Sequence, residues 1–261
     1  MSEPAPRHWP PVEGESDDAF LGGRLRVLQP AASYRAGIDG VLLAATARPG
    51  RDGQVLDVGA GAGVVGLCVA WRLPDAVVTM VERDAGLAAL AKRNLERNGF
   101  AGRARVIEAD VLRPLADCPE LSASTASFDH VLANPPFFEE GRGTAAGEPV
   151  KARANAMPAG ALDRWLRFMA AMASPGGVVT MIHRSEALPE LLNALAGRFG
   201  GVRLLPIHAR EGQPANRLLV RAVKGSRAPL QLLPGLILHD AGNGFRPEIA
   251  AVLREGAGLS I

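Results

Sequence analysis

Four short apolar runs, Gln54–Val58, Val77–Glu82, residues 105–108 and Phe128–Ala133, recur through the middle of this chain, and segments with the helical apolar period, 63–72 and 85–98, separate the first three. Connections of that kind carry a chain from one parallel strand to the next, which implies a sheet covered by helices on both faces. Downstream, residues 161–172 carry the helical period again, Pro175-Gly-Gly177 turns the chain into a buried-strand run over 178–183, and a further helix is expected over 188–198. Residues 202–207 and 217–223 read as strands across Glu211-Gly-Gln-Pro214, a connection too short for a crossover helix, so the last pair is an antiparallel hairpin. The expected fold is α/β: a Rossmann-like, seven-stranded sheet with helices on both faces and its last strand pair antiparallel.

Ahead of this core, residues 24–30 alternate as a half-buried strand does and 41–47 form an apolar, helix-like run, which together read as a small N-terminal cap over 20–50. Residues 1–19 hold Pro4, Pro6, Pro10, Pro11 and several acids without a basic or apolar leader pattern, and are expected to be a flexible tail. With 261 residues, 48% of them hydrophobic, the stretch 20–261 can close around one large core as a single domain. A net charge of +2 permits a polyanionic partner without arguing for one. Cys68 and Cys118 lie in unrelated contexts, and His8, His130, His183, His208 and His239 show no ligand spacing. Neither a disulfide framework nor a metal site is therefore expected, and the reducing cytoplasm is the expected location. No run approaches the roughly 18 apolar residues that span a bilayer.

The first chemical constellation is Val55-Leu-Asp-Val-Gly-Ala-Gly-Ala-Gly-Val-Val-Gly66, a strand running through alternating glycines into a helix. Gly59, Gly61 and Gly63 allow positive φ and clear side chains from a backbone that a ligand must approach, with Ala60 between them, and Asp57 is placed to accept from a cationic ligand group. Gly61, Gly63 and Gly66 also satisfy the dinucleotide fingerprint with Glu82 following. Here, however, Asp-Val-Gly-Ala intervenes before that pattern, lengthening the loop and putting a carboxylate where a pyrophosphate would be repelled. Glu82, ending its strand, can accept from two ribose hydroxyls, and Asp110, just past the third strand, can accept from an exocyclic amine or cap the next turn. Their neighbours Arg83 and Val111 join them as candidate cofactor-binding residues.

The sharpest signal is Asn134-Pro-Pro-Phe137 at the end of the fourth strand. Adjacent prolines stiffen the backbone, so the Asn134 side-chain oxygen and the Pro135 carbonyl can both accept from one amino group while Phe137 stacks on the ring that bears it. Pro136 completes the candidate catalytic set. An amine held by two acceptors has its lone pair drawn out of conjugation and can attack a sulfonium methyl in line, with catalysis by orientation and charge stabilisation.

At these residues the chain resembles the class I methyltransferases with an Asn-Pro-Pro-aromatic motif, and within them the bacterial tRNA1(Val) adenine N6-methyltransferase family. The resemblance runs from about Arg24 through Leu28-Gln-Pro30, Tyr34-Arg35, Ile38-Asp39-Gly40, Leu42-Leu43, the glycine loop and Asn134 to Phe138, and ends on Leu236-Ile-Leu-His239 and Phe245-Arg-Pro-Glu248. It implies S-adenosyl-L-methionine as cofactor and RNA, specifically tRNA, as substrate, with Tyr34 and Asp39 closing over the cofactor and Asn134 shared between cofactor and substrate. Phe137 stands where the family often has tyrosine. Two basic groups, Arg142, Lys151 and Arg153, and Arg210, Arg217, Arg221, Lys224 and Arg227, are candidates for tracking phosphates, although a solvated surface explains any one of them. The catalytic motif alone also admits methylation of a protein glutamine amide or of guanine N2, and a non-catalytic binding protein that keeps the fold.

Overall fold

The computed structural model describes residues 10–31, 35–48, 53–136, 138–139, 156–157 and 160–261. An antiparallel hairpin, β1 (Glu15–Phe20) with β2 (Leu25–Pro30), comes first, followed by α1 (Ile38–Ala44). The core then runs β3 (Gln54–Val58), α2 (Val64–Arg72), β4 (Val77–Glu82), α3 (Ala85–Arg97), β5 (Ala104–Glu108), the short α4 (Pro119–Ala123) and β6 (Phe128–Ala133). Two residue pairs, β7 (Phe138–Glu139) and β8 (Ala156–Met157), form a small parallel ladder of their own. The chain continues through α5 (Ala161–Met172), β9 (Ala173–Arg184), α6 (Leu188–Leu195), β10 (Phe199–His208) and β11 (Ala215–Lys224). It closes with β12 (Gln231–Leu232), β13 (Leu236–Ile237) and α7 (Pro247–Ala250).

The seven expected strands lie side by side in the order β10-β11-β9-β6-β3-β4-β5. Pairings among β5, β4, β3, β6 and β9 are parallel, whereas β11 is antiparallel to both β9 and β10. The hairpin explains this arrangement: α6 carries the chain to the edge, and β11 returns into the gap between β10 and β9. Among the described residues the sheet has nine strands, because β12 and β13 add two residues each, parallel to the outer edge of β10. Their role is to pair an edge that would otherwise expose its hydrogen-bonding groups.

Strand alternation divides the core in two. Leu132 and Ile182 point to the face covered by α1, α2 and α3, where Leu42, Leu67 and Leu95 are buried. Leu56, Val131 and Met181 point to the opposite face, against Leu162, Leu166 and Met169 of α5 and Leu191 of α6. From β3 the chain builds outward first through β4 and β5, then on the other side through β6. This reversal of strand order opens a crevice beyond the carboxyl ends of β3 and β6, where ligands of open α/β sheets bind. No helix among the described residues is long and apolar enough to cross a membrane.

Residues 15–19, expected to belong to a flexible tail, instead lie in β1, which begins at Glu15. Acids of that expected tail have partners on α3 and nearby: Glu15 Oε1 with Arg93 Nη1 at 2.6 Å, Asp17 Oδ2 with Arg97 Nη2 at 2.5 Å and with Arg26 Nη2 at 3.0 Å. Asp18 pairs with Arg35. Burial alone would raise the Glu15 and Asp17 carboxyls, but hydrogen bonds and charge from these arginines hold both below their ordinary values, with the Val12 N–H adding to the effect on Glu15.

Candidate active site

At the end of β3 the chain enters the glycine loop, with φ of +70° at Gly59, +57° at Gly61 and +91° at Gly63, where α2 starts. The Gly59 and Ala60 N–H groups both donate to Val81 O, at 2.8 and 3.0 Å, which fastens the loop to β4. One residue further, the Gly61 N–H donates to Glu82 Oε2 at 2.8 Å, and Glu82 Oε1 accepts from the Asp84 N–H at 2.9 Å. A Cβ on Gly61 would meet nothing within 4 Å, because this stretch of backbone faces an open cavity of about 630 Å³.

That cavity brings together most of the residues singled out from the sequence: Gly59, Ala60 and Gly61, Glu82 and Arg83, Asp110 and Val111, and Asn134, Pro135 and Pro136. Asp110 caps as well as lines, since its Oδ1 accepts from the Leu112 N–H at 2.9 Å. Tyr34 and Phe137 lie outside the described residues, as do Arg142, Lys151 and Arg153. Asn134 is the chemically telling member. Its Oδ1 is buried and has no hydrogen-bond partner among the described residues. A buried amide oxygen left unpaired costs about 1–3 kcal/mol, a penalty that a ligand N–H would relieve.

Three expected site residues lie elsewhere. Gly63 faces Met80 and Ala91 at the start of α2, so its glycine serves close helix packing. Asp39 accepts from Arg217 Nε at 3.0 Å, tying α1 to β11 instead of reaching the cavity. Asp57, expected to meet a cationic ligand directly, is 1% exposed beneath the loop, and its Oδ2 accepts from the Gly66 N–H at 2.9 Å. The first turn of α2 presents an N–H without a helical partner to this carboxylate on the buried side, and the carboxylate turns to it. The bond to Asp39 commits Arg217 within the fold. Arg210 is committed too, donating to Asp240 O at 2.9 Å, Gly242 O at 2.5 Å and Asn243 Oδ1 at 2.8 Å, and Lys224 Nζ to Ala173 O at 2.7 Å.

Burial pushes the Asp57 carboxyl up to about 7; the Gly66 hydrogen bond opposes this and the charge of Glu82 adds to it. Because the folded-state value lies above the unfolded one, folding favours the protonated acid. That contribution is complete below about pH 4 and disappears as pH rises through about 7. Asp57→Asn is therefore expected to flatten stability between pH 5 and 8, compared by chemical denaturation with the wild-type protein. Equal slopes for the two proteins would refute an ionising Asp57.

Trp165 and Gln29 are among the cavity residues that were not expected. Trp165 arrives from α5, where the helical period marks it only as core, and packs against Gly59 while lining the cavity. Gln29 sits at a buried position of β2, 2% exposed. A polar side chain in an inward register of a strand was its available signal.

The crevice, the glycine loop and the Asn-Pro-Pro-Phe strand end define a class I methyltransferase, and the Methyltransferase small domain family model matches residues 37–159. The tRNA1(Val) (adenine(37)-N6)-methyltransferase of Shewanella sp. is 30% identical over 182 residues, which cover 69% of this chain and 74% of that protein. The protein of the same name from Actinobacillus succinogenes is 25% identical over 242 residues, covering 92% and 98%. The chain belongs to the tRNA1(Val) adenine N6-methyltransferase family. A crystal structure of a predicted O-methyltransferase, Atu636 of Agrobacterium tumefaciens, matches with a TM-score of 0.72 and 33% identity, over 85% of this chain and 99% of that one.

Proposed function

We propose that the chain transfers a methyl group from S-adenosylmethionine to the exocyclic N6 amine of an adenine in RNA, with a cytoplasmic tRNA as substrate. The observation that carries the proposal is the buried, unpartnered Asn134 Oδ1 at the cavity wall beside Pro135 and Pro136. An amide oxygen does not take up a proton at neutral pH, so it suits an acceptor nitrogen that attacks through its own lone pair rather than a hydroxyl that must first lose its proton. Asn134 accepts from the amine and orients it, and the two prolines keep that acceptor in place as charge develops on the nitrogen.

The remaining walls fit a nucleoside cofactor. Each Glu82 carboxylate oxygen accepts one backbone N–H and keeps lone-pair capacity for a ribose hydroxyl. Asp110, with Oδ1 engaged by Leu112, would hold the adenine amine through its remaining acceptor capacity, between Arg83 and Val111. The bare Gly61 backbone leaves room for close approach. S-adenosylmethionine, when bound, supplies a methyl group on a positively charged sulfur.

The test is transfer of radiolabelled methyl groups to total tRNA, followed by nucleoside digestion and mass spectrometry. N6-methyladenosine in the tRNA is expected. Label in protein glutamine or in N2-methylguanosine instead would overturn the adenine assignment.

A further inference from the structure

Helix α3 carries Asn94, and its C-cap residue Asn98 follows one turn on; both side chains face the free edge of β2. Asn94 Oδ1 accepts from the Leu28 N–H at 2.9 Å and Asn94 Nδ2 donates to Leu28 O at 2.9 Å. Asn98 repeats the pattern two residues back along the strand, with Oδ1 accepting from the Arg26 N–H at 3.0 Å and Nδ2 donating to Arg26 O at 2.9 Å. A primary amide presents the same donor and acceptor as a peptide group, and a helical turn of about 5.4 Å comes close to the two-residue repeat of a strand, about 6.8 Å. The helix thus supplies a side-chain ladder where a third strand would otherwise pair.

The two amides differ in what else they hold. The second bond of Asn98 Nδ2 returns to its own helix, at Asn94 O, 2.8 Å away. Asn94 is fully buried, and its Nδ2 also donates to Ala62 O, in the glycine loop, at 2.9 Å. Leu28 is thereby joined to the loop, and the next residue, Gln29, builds the facing wall. Gln29 Oε1 accepts from the Ala36 N–H at 2.8 Å, and its Nε2 donates to Asp18 Oδ2 at 2.8 Å. Ala62, Gln29 and Ala36 all line the cavity, whereas Asn94 does not.

We infer that Asn94 is a positioning residue of the methyl-donor cavity, setting the spacing between the glycine loop and the Gln29–Ala36 wall without touching what binds there. The inference rests on the methyltransferase function proposed above. Asn98 provides a matched control, because it makes the same strand-edge pair and no bond to the loop.

The experiment measures S-adenosylhomocysteine binding by calorimetry, and donor KM and kcat on tRNA, for the wild-type protein, Asn94→Ala and Asn98→Ala. Asn94→Ala is expected to weaken binding and raise donor KM about ten-fold with kcat within about three-fold of wild type. Asn98→Ala is expected to lower the melting temperature while leaving affinity unchanged. Should Asn94→Ala not fold, the near-isosteric Asn94→Asp keeps the acceptor for the Leu28 N–H, loses the donors to Ala62 O and Leu28 O, and carries the same expectation. Wild-type affinity in the Asn94 variant, or equal losses at both positions, overturns the inference while the methyl-donor function stands. A wild-type protein that binds no S-adenosylhomocysteine overturns both.

Discussion

Asn134→Ala is expected to reduce kcat for adenine methylation by about 10²–10³-fold while the affinity for S-adenosylhomocysteine stays within about three-fold of wild type. The side chain removed is the one whose Oδ1 is buried at the cavity without a partner among the described residues. In the folded protein that oxygen carries a desolvation cost, and the cost is recovered only when an N–H arrives. As the amine moves toward tetrahedral geometry its hydrogens become more acidic, so the hydrogen bond strengthens along the reaction and its loss falls on kcat rather than on binding. Asn134→Asp, which retains an acceptor at the same place, should keep more activity than Asn134→Ala. Single-turnover rates at saturating donor, together with calorimetric affinities, separate the two effects. Turnover of Asn134→Ala at the wild-type rate, or a loss confined to donor affinity, would exclude the proposed role.

What the sequence made legible was set by how local each determinant is. The strands β3 to β6 and the hairpin β10–β11 are written in apolar runs and connection lengths, and all of them formed. The two-residue strands β12 and β13 have too few residues for any periodicity, so only the pairing with β10 identifies them. Glu15 and Asp17 read as part of a flexible tail because their partners Arg93 and Arg97 are 78 and 80 residues away and become neighbours only when α3 packs beside the cap. In the site, residue types at strand ends were sufficient to gather Glu82, Asp110 and Asn134 around one cavity. The direction of a side chain was not readable in the same way. Asp57 has the right position and the wrong orientation for direct ligand contact, since the Gly66 N–H waits on the buried side. Trp165 was hidden for the opposite reason: its helical period is that of a core residue, and nothing local marks the glycine it packs against.

The Trp165 ring leaves no room for a side chain at Gly59. Gly59→Ala is expected to abolish measurable donor binding and to destabilise the protein by about 2–4 kcal/mol, from left-handed backbone and overpacking together. Gly59 has φ of +70°, and a Cβ there would lie 2.4 Å from Trp165 Cη2 and 3.2 Å from Cζ3. The indole is 7% exposed and belongs to the core under α5, so it has little room to retreat. The loop cannot slide easily either, because the Gly59 and Ala60 N–H groups are both fixed to Val81 O. Strain is then relieved by lifting the loop into the cavity that the donor needs. Gly61→Ala gives the contrast: its φ of +57° is also unfavourable, but its Cβ meets nothing within 4 Å, so binding should suffer with a smaller loss of stability. Combining Gly59→Ala with Trp165→Leu should recover the steric part of the stability loss and leave the backbone part. The two substitutions are therefore expected to be non-additive in denaturation midpoints. Strict additivity would mean that the Trp165 ring does not constrain the loop, and that the intolerance at Gly59 is a matter of φ alone.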